Sequence, residues 1–166
     1  MQNIAAITFH YDAIEDRILL IGNLNNTHPR CDFWLTRSIT LKLLNALGGL
    51  VRQTSQQIAA APAEYQSGLA QFEHEQAQQN MQVTPEKEQP VADAPQLLHK
   101  MDISHQEQRY QLIMYGADGS KPIAAAVLSH DELHQILSLL HRGAVELNWG
   151  VDVHLFDNQV PDTPLQ

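Results

Sequence analysis

The sequence predicts an α+β fold: two β-β-β-α units with antiparallel sheet and helices on one face, joined by a long Gln/Ala-rich linker. Three observations predict it. Residues 1–52 and 98–157 follow the same succession of patterns, strand-like runs and then a leucine-striped helix. Links between successive strand-like runs are short, which favours antiparallel pairing. Residues 53–97 between them hold eleven glutamines and few large apolar residues. Strands followed by segregated helices pack as a sheet covered on one face.

The first unit, residues 1–52, opens with the alternating segment ITFHY at 7–11. DRILLIGNL follows as a buried-strand pattern, a polar loop comes next, and CDFWLT supplies a third strand. A helix begins at SITLKLLNAL. The second unit, residues 98–157, offers HKMDISH at 99–105, then QRYQLIMYG, an ADGSK turn, PIAAAVLS and HDELHQILSLL. Leu35-Thr36 aligns with Leu128-Ser129. Leu43, Leu44 and Leu47 align with Ile136, Leu137 and Leu140 at a constant offset. The second unit is expected to add an extra C-terminal strand, because VELNWGVDVHL at 145–155 alternates apolar and polar residues without a miss. Residues 158–166 read as a loose tail.

Residues 53–97 read as a linker. Alanine, glutamine and glutamate favour a helix over 63–80, where Tyr65, Leu69 and Phe72 fall at i, i+4 and i+7 and form one sticky stripe. Pro85, Pro90 and Pro95 break the second half, and residues 81–97 read as disordered.

Composition excludes several function classes. The net charge is -9, which opposes binding to a phosphate backbone or an anionic membrane. The single cysteine, Cys31, excludes an intramolecular disulfide and a CxxC metal site. The N-terminal residues MQNIAAITFHYD lack the layout of a secretory signal, and no run approaches the roughly 20 apolar residues that span a bilayer. A cytoplasmic location is the expectation.

The helix at 128–141, LSHDELHQILSLLH, holds the densest chemistry. His130, His134 and His141 lie along one edge of its apolar stripe, and the first two are spaced i, i+4, as two ligands of one metal ion can be. They are the candidate ligands for a divalent transition metal. The zincin motif is not matched, since Asp131 stands where it requires glutamate. Helix mechanics explain much of the same stretch. Ser129 and Glu132 form a capping box, the acids suit the helix N-terminus, and Gly143 can close the other end.

The loop NLNNTHPRCDFW gathers His28, Arg30, Cys31 and Asp32. Residues this close on an extended segment do not converge on one point, so the loop reads as a contact surface rather than a thiol active site. The first unit also pairs cations with aromatics, a composition that can bind single-stranded nucleic acid, although the whole-chain charge opposes it. P-loop, GxGxxG, GxSxG and zinc-finger spacings are absent from the sequence.

The leading expectation is a non-catalytic protein-binding or adaptor protein with no cofactor. It would hold another protein through His28, Arg30, Trp34, Tyr65, Leu69 and Phe72, and self-association into a homo-oligomer is compatible with its exposed sheet. The alternative is a histidine-based metal-binding protein or metalloenzyme using the second unit. Single-stranded nucleic-acid binding is the third.

Overall fold

A computed structural model describes residues 1–24, 27–79 and 93–156. It is an α+β fold with two four-stranded sheets and four helices among the described residues. The first sheet-and-helix run is β1 (Gln2–Ile4), β2 (Ile7–Asp12), β3 (Arg17–Gly22), β4 (Cys31–Thr36) and α1 (Arg37–Thr54). Two helices follow, α2 (Gln56–Ala60) and α3 (Ala63–Gln79). The second run is β5 (Gln96–Leu97), β6 (Lys100–Gln106), β7 (Arg109–Tyr115), β8 (Pro122–Leu128) and α4 (His130–Glu146).

In each unit three strands form an antiparallel meander, β2-β3-β4 and β6-β7-β8. The fourth strand of each sheet comes from the other run. β1 lies parallel to β8, with Gln2 opposite Ala124, and β5 lies parallel to β4, with Phe33 opposite Gln96. The two units are therefore interleaved. Asn23 sets the corner where the chain leaves one sheet for the other. Its φ is +61°, a left-handed conformation that asparagine tolerates. Its fully buried side chain accepts from Ala5 N–H at 2.8 Å and donates to the carbonyls of Asn3 and Pro29. The backbone groups at the crossing are thus satisfied without a ladder partner.

α1 and α4 each start on a side-chain cap. Thr36 accepts from Ile39 N–H at the start of α1. At α4, Ser129 accepts from Glu132 N–H at 3.2 Å, and the Glu132 carboxylate accepts from Ser129 N–H at 2.7 Å. One hydrophobic cluster joins the units, with Ile18, Phe33, Leu35, Leu47, Leu112, Leu133 and Leu137 essentially inaccessible to solvent. α4 presses on the first unit's sheet. A Cβ at Gly143 would lie 2.5 Å from the Tyr11 ring, and the Tyr11 hydroxyl donates to the Leu139 carbonyl at 2.5 Å. No helix among the described residues is long and apolar enough to cross a membrane.

The extra strand expected at 145–155 does not form. α4 runs through Glu146 and ends on a left-handed Asn148 (φ +55°), with Trp149 N–H donating to Ala144 and Asn148 N–H to Val145. That is a Schellman closure with asparagine in place of glycine, and Gly143 lies inside the helix. The sheet edge beside β8 is filled by β1, and the alternating segment joins neither sheet. Its Trp149 and the following Phe156 turn inward instead, while Val153 is exposed.

The linker of 53–97 also differs from its composition. Ile58 and Ala70 are fully buried, Ala77 nearly so, and β5 pairs where a disordered segment was expected to end. Small alanines bury little area each but let a helix approach closely, so a low hydrophobic content concealed a packed face. Residues 81–92 of the expected disordered stretch and the tail at 158–166 lie outside the described residues.

Candidate metal centre

α3 packs against α4 and buries Ala70, His74 and Ala77, spaced i, i+4 and i+7, with His74 meeting His134 of α4. Glu73 stands beside this face and points at the first turn of α4, where His130 follows the Ser129 cap. His134 comes one turn later and is fully buried. The ligand-type atoms of Glu73, His130 and His134 all lie within 4.8 Å of one another. His130 Nε2 is 3.1 Å from His134 Nε2 and 3.6 Å from Glu73 Oε2. Two donors on a tetrahedral ion with bonds of about 2.0–2.1 Å stand about 3.3 Å apart, so both spacings suit a shared ion.

The remaining atoms of these residues are held in place. The Ser55 hydroxyl donates to Glu73 Oε1 at 2.8 Å. The Thr54 hydroxyl donates to the Leu50 carbonyl, so the Tyr110 hydroxyl donates to Thr54 Oγ1 at 2.5 Å and its oxygen is left to accept from His130 Nδ1 at 3.5 Å. A proton on His130 Nδ1 leaves a lone pair on Nε2, the nitrogen that faces the centre. His134 Nδ1 meets His74 Nδ1 at 2.9 Å, and His74 Nε2 meets the Gln78 amide nitrogen at 3.4 Å. Gln78 also donates to Ser138. Outer hydrogen bonds of this kind orient metal-binding rings.

One atom is left over. Glu73 Oε2 is buried and has no hydrogen-bond partner. Burial pushes His134 down to about 3, helped by His130 and His74, and pushes His74 down to about 4, helped by His141. Both rings are therefore neutral near pH 7, and neutral imidazole is the form that binds metals. A buried carboxylate oxygen faces two ring nitrogens.

No family model, curated protein or solved structure matches this chain. The chemistry of the site therefore rests on its own residues.

Of the three histidines expected to act together, the structure brings together His130 and His134. His141 lies apart, with Nε2 2.5 Å from the Asp152 carbonyl oxygen. Glu73 completes the group instead, from a segment that composition assigned to a linker. The usable signal was the helical spacing of Ala70, His74 and Ala77, which sets a histidine in a small-residue face.

The expected partner-binding residues are dispersed. His28 is exposed on its loop, whereas Arg30 is held against the Asp32 carboxylate at 3.0 Å. Trp34 lies on β4 with the Arg17 guanidinium 3.6 Å above its ring. On α3, Tyr65 and Phe72 are exposed while Leu69 packs against the core. Burial, with Asp32 and Asp93, pushes the Cys31 thiol up to about 11, which opposes its use as a nucleophile.

Proposed function

We propose that this protein binds a divalent transition metal ion through Glu73, His130 and His134, at the seam between α3 and α4. The observation that carries the reading is the buried, unpartnered Glu73 Oε2 facing two imidazole nitrogens. A cation there would satisfy all three atoms at once. Two nitrogens and one oxygen suit zinc and its neighbours in the transition series, whereas calcium and magnesium prefer oxygen alone. Three protein ligands leave one tetrahedral position for water or an exogenous donor, as open zinc sites do. A proton on His130 competes for the same place, because it would pair that ring with Glu73.

The test is metal analysis of protein purified without a histidine tag, together with zinc and nickel titrations followed by thermal shift. About one equivalent bound and a raised Tm are expected, since a ligand held only by the folded state stabilises it. Less than a tenth of an equivalent and no shift would sink the reading.

The exposed rings of Tyr65 and Phe72, at 61% and 56% exposure on α3, favour a second function, the holding of another protein. Replacing both with serine should abolish any partner that co-purifies from the native host and leave metal uptake intact. Co-purification unchanged by the double substitution would count against it.

A further inference from the structure

An ion binds an imidazole nitrogen through its lone pair, so an ion on His134 Nε2 requires that ring's proton on Nδ1. His134 Nδ1 faces His74 Nδ1 at 2.9 Å. Between neutral rings one of these nitrogens donates and the other accepts. With the ion bound, His74 must accept at Nδ1 and hold its own proton on Nε2. That nitrogen faces the Gln78 amide nitrogen at 3.4 Å, and both would then be donors.

The metal-free contacts run the other way. The Gln78 amide nitrogen can only donate, so His74 Nε2 must accept, which puts the His74 proton on Nδ1 toward His134 Nδ1 and the His134 proton on Nε2 toward His130 Nε2 at 3.1 Å. His130 carries its proton on Nδ1, toward Tyr110, in either case. The two α4 ligands therefore differ. His130 is already set for an ion, and His134 is blocked by its own proton.

We propose that His74 and Gln78 form a tautomer relay that governs access to the centre: loading the ion moves the protons of His134 and His74 to their other nitrogens and turns the Gln78 amide over. This rests on the metal reading of Glu73, His130 and His134. The protons balance. The one between the two Nδ1 atoms passes from His74 to His134. His134 releases its Nε2 proton to water and His74 takes one from water at Nε2. After the turn, the Gln78 oxygen accepts from His74, and the Ser138 hydroxyl, which can donate or accept, donates to that same oxygen. His74 touches a ligand and not the ion, so it is a positioning residue.

Long-range proton–nitrogen spectra of the full-length, 15N-labelled protein read the tautomer of each imidazole. Without metal, His134 should appear with its proton on Nε2 and His74 with its proton on Nδ1. One equivalent of zinc should exchange both. In Gln78→Glu the carboxylate can only accept, so His74 should hold its proton on Nε2 before zinc is added. Zinc affinity, measured against a competing chelator, should rise on the order of tenfold. Gln79→Glu adds the same charge one residue away and should change neither tautomers nor affinity appreciably. Zinc binding with the His74 tautomer unchanged overturns the relay and leaves the metal centre standing. Tighter binding in Gln78→Glu without the tautomer change reveals a charge effect and also overturns it. A wild-type protein that takes up no zinc overturns the metal reading and the relay with it.

Discussion

Glu73 costs the metal-free protein stability. A buried polar atom without a partner is penalised by about 1–3 kcal/mol, more when charged. Glu73→Gln keeps an oxygen for the Ser55 hydroxyl and puts a neutral amide in place of the carboxylate. The metal-free Tm should hold or rise, while zinc affinity falls at least about tenfold, as for loss of a metal contact. Thermal unfolding and chelator competition check the two halves. A fall in Tm with affinity intact would contradict the role given to Glu73. His74 and His134 make a separate expectation about pH. The unfolded chain takes up their protons near the ordinary value of 6.5, whereas the folded rings refuse them down to about 4 and about 3. The unfolded state binds more protons in that window, so stability rises with pH there. The metal-free protein should keep this contribution above about pH 6.5 and lose it progressively as the pH falls toward 4. Urea denaturation across that range measures it, and a flat profile would refute it. Sequence made half of this site legible. His130 and His134 stand four apart after a capping serine, and local spacing is visible in a string. Glu73 and His74 were not legible, because their meeting with α4 depends on a fold that brings residues 60 apart within 2.9 Å.

The helices differ in how openly they announce themselves. α1 and α4 have caps and a continuous leucine stripe, so their existence follows from periodicity and the start of α4 from Ser129. Ser129→Ala removes the α4 capping box and should cost about 1 kcal/mol in chemical denaturation. The same change should loosen the first turn that carries His130 and weaken zinc binding. α2 is five residues long, and its anchoring is concentrated in Ile58, which is fully buried. Ile58→Ala should cost about 2–5 kcal/mol, the usual range for such a truncation in a core. A cost below about 0.5 kcal/mol, typical of an exposed position, would mean that this part of the presumed linker carries no packing. The segment 145–155 misled for a physical reason. Alternation identifies a residue pattern that suits a strand, but here α4 runs through Glu146 and closes on Asn148, and β1 takes the edge beside β8.

The two meanders repeat, and the repeat was visible because each antiparallel run encodes its own alternation. The exchange of β1 and β5 was not visible. These strands have three and two residues, too short for any period, and their partners lie about 120 and 60 positions away in the chain. Ile4, 2% exposed, anchors the first of them. Removing residues 1–5 should lower hydrogen-exchange protection at those amides of Ala124–Ala126 that point toward β1 rather than β7, while the β2–β3 hairpin stays protected. Protection unchanged at those alanines would contradict the pairing.

The interleaving bears on how the molecule comes into being. During synthesis the first meander emerges with one flank bare, because β5 has not yet been made. β1 must wait longer still, until β8 leaves the ribosome. Neither half can close its sheet alone, so the nascent protein holds a bare β4 border until β5 (Gln96–Leu97) is made and an unpaired β1 until β8 (Pro122–Leu128) is made. A cell making it at speed would meet those borders before it met the finished fold.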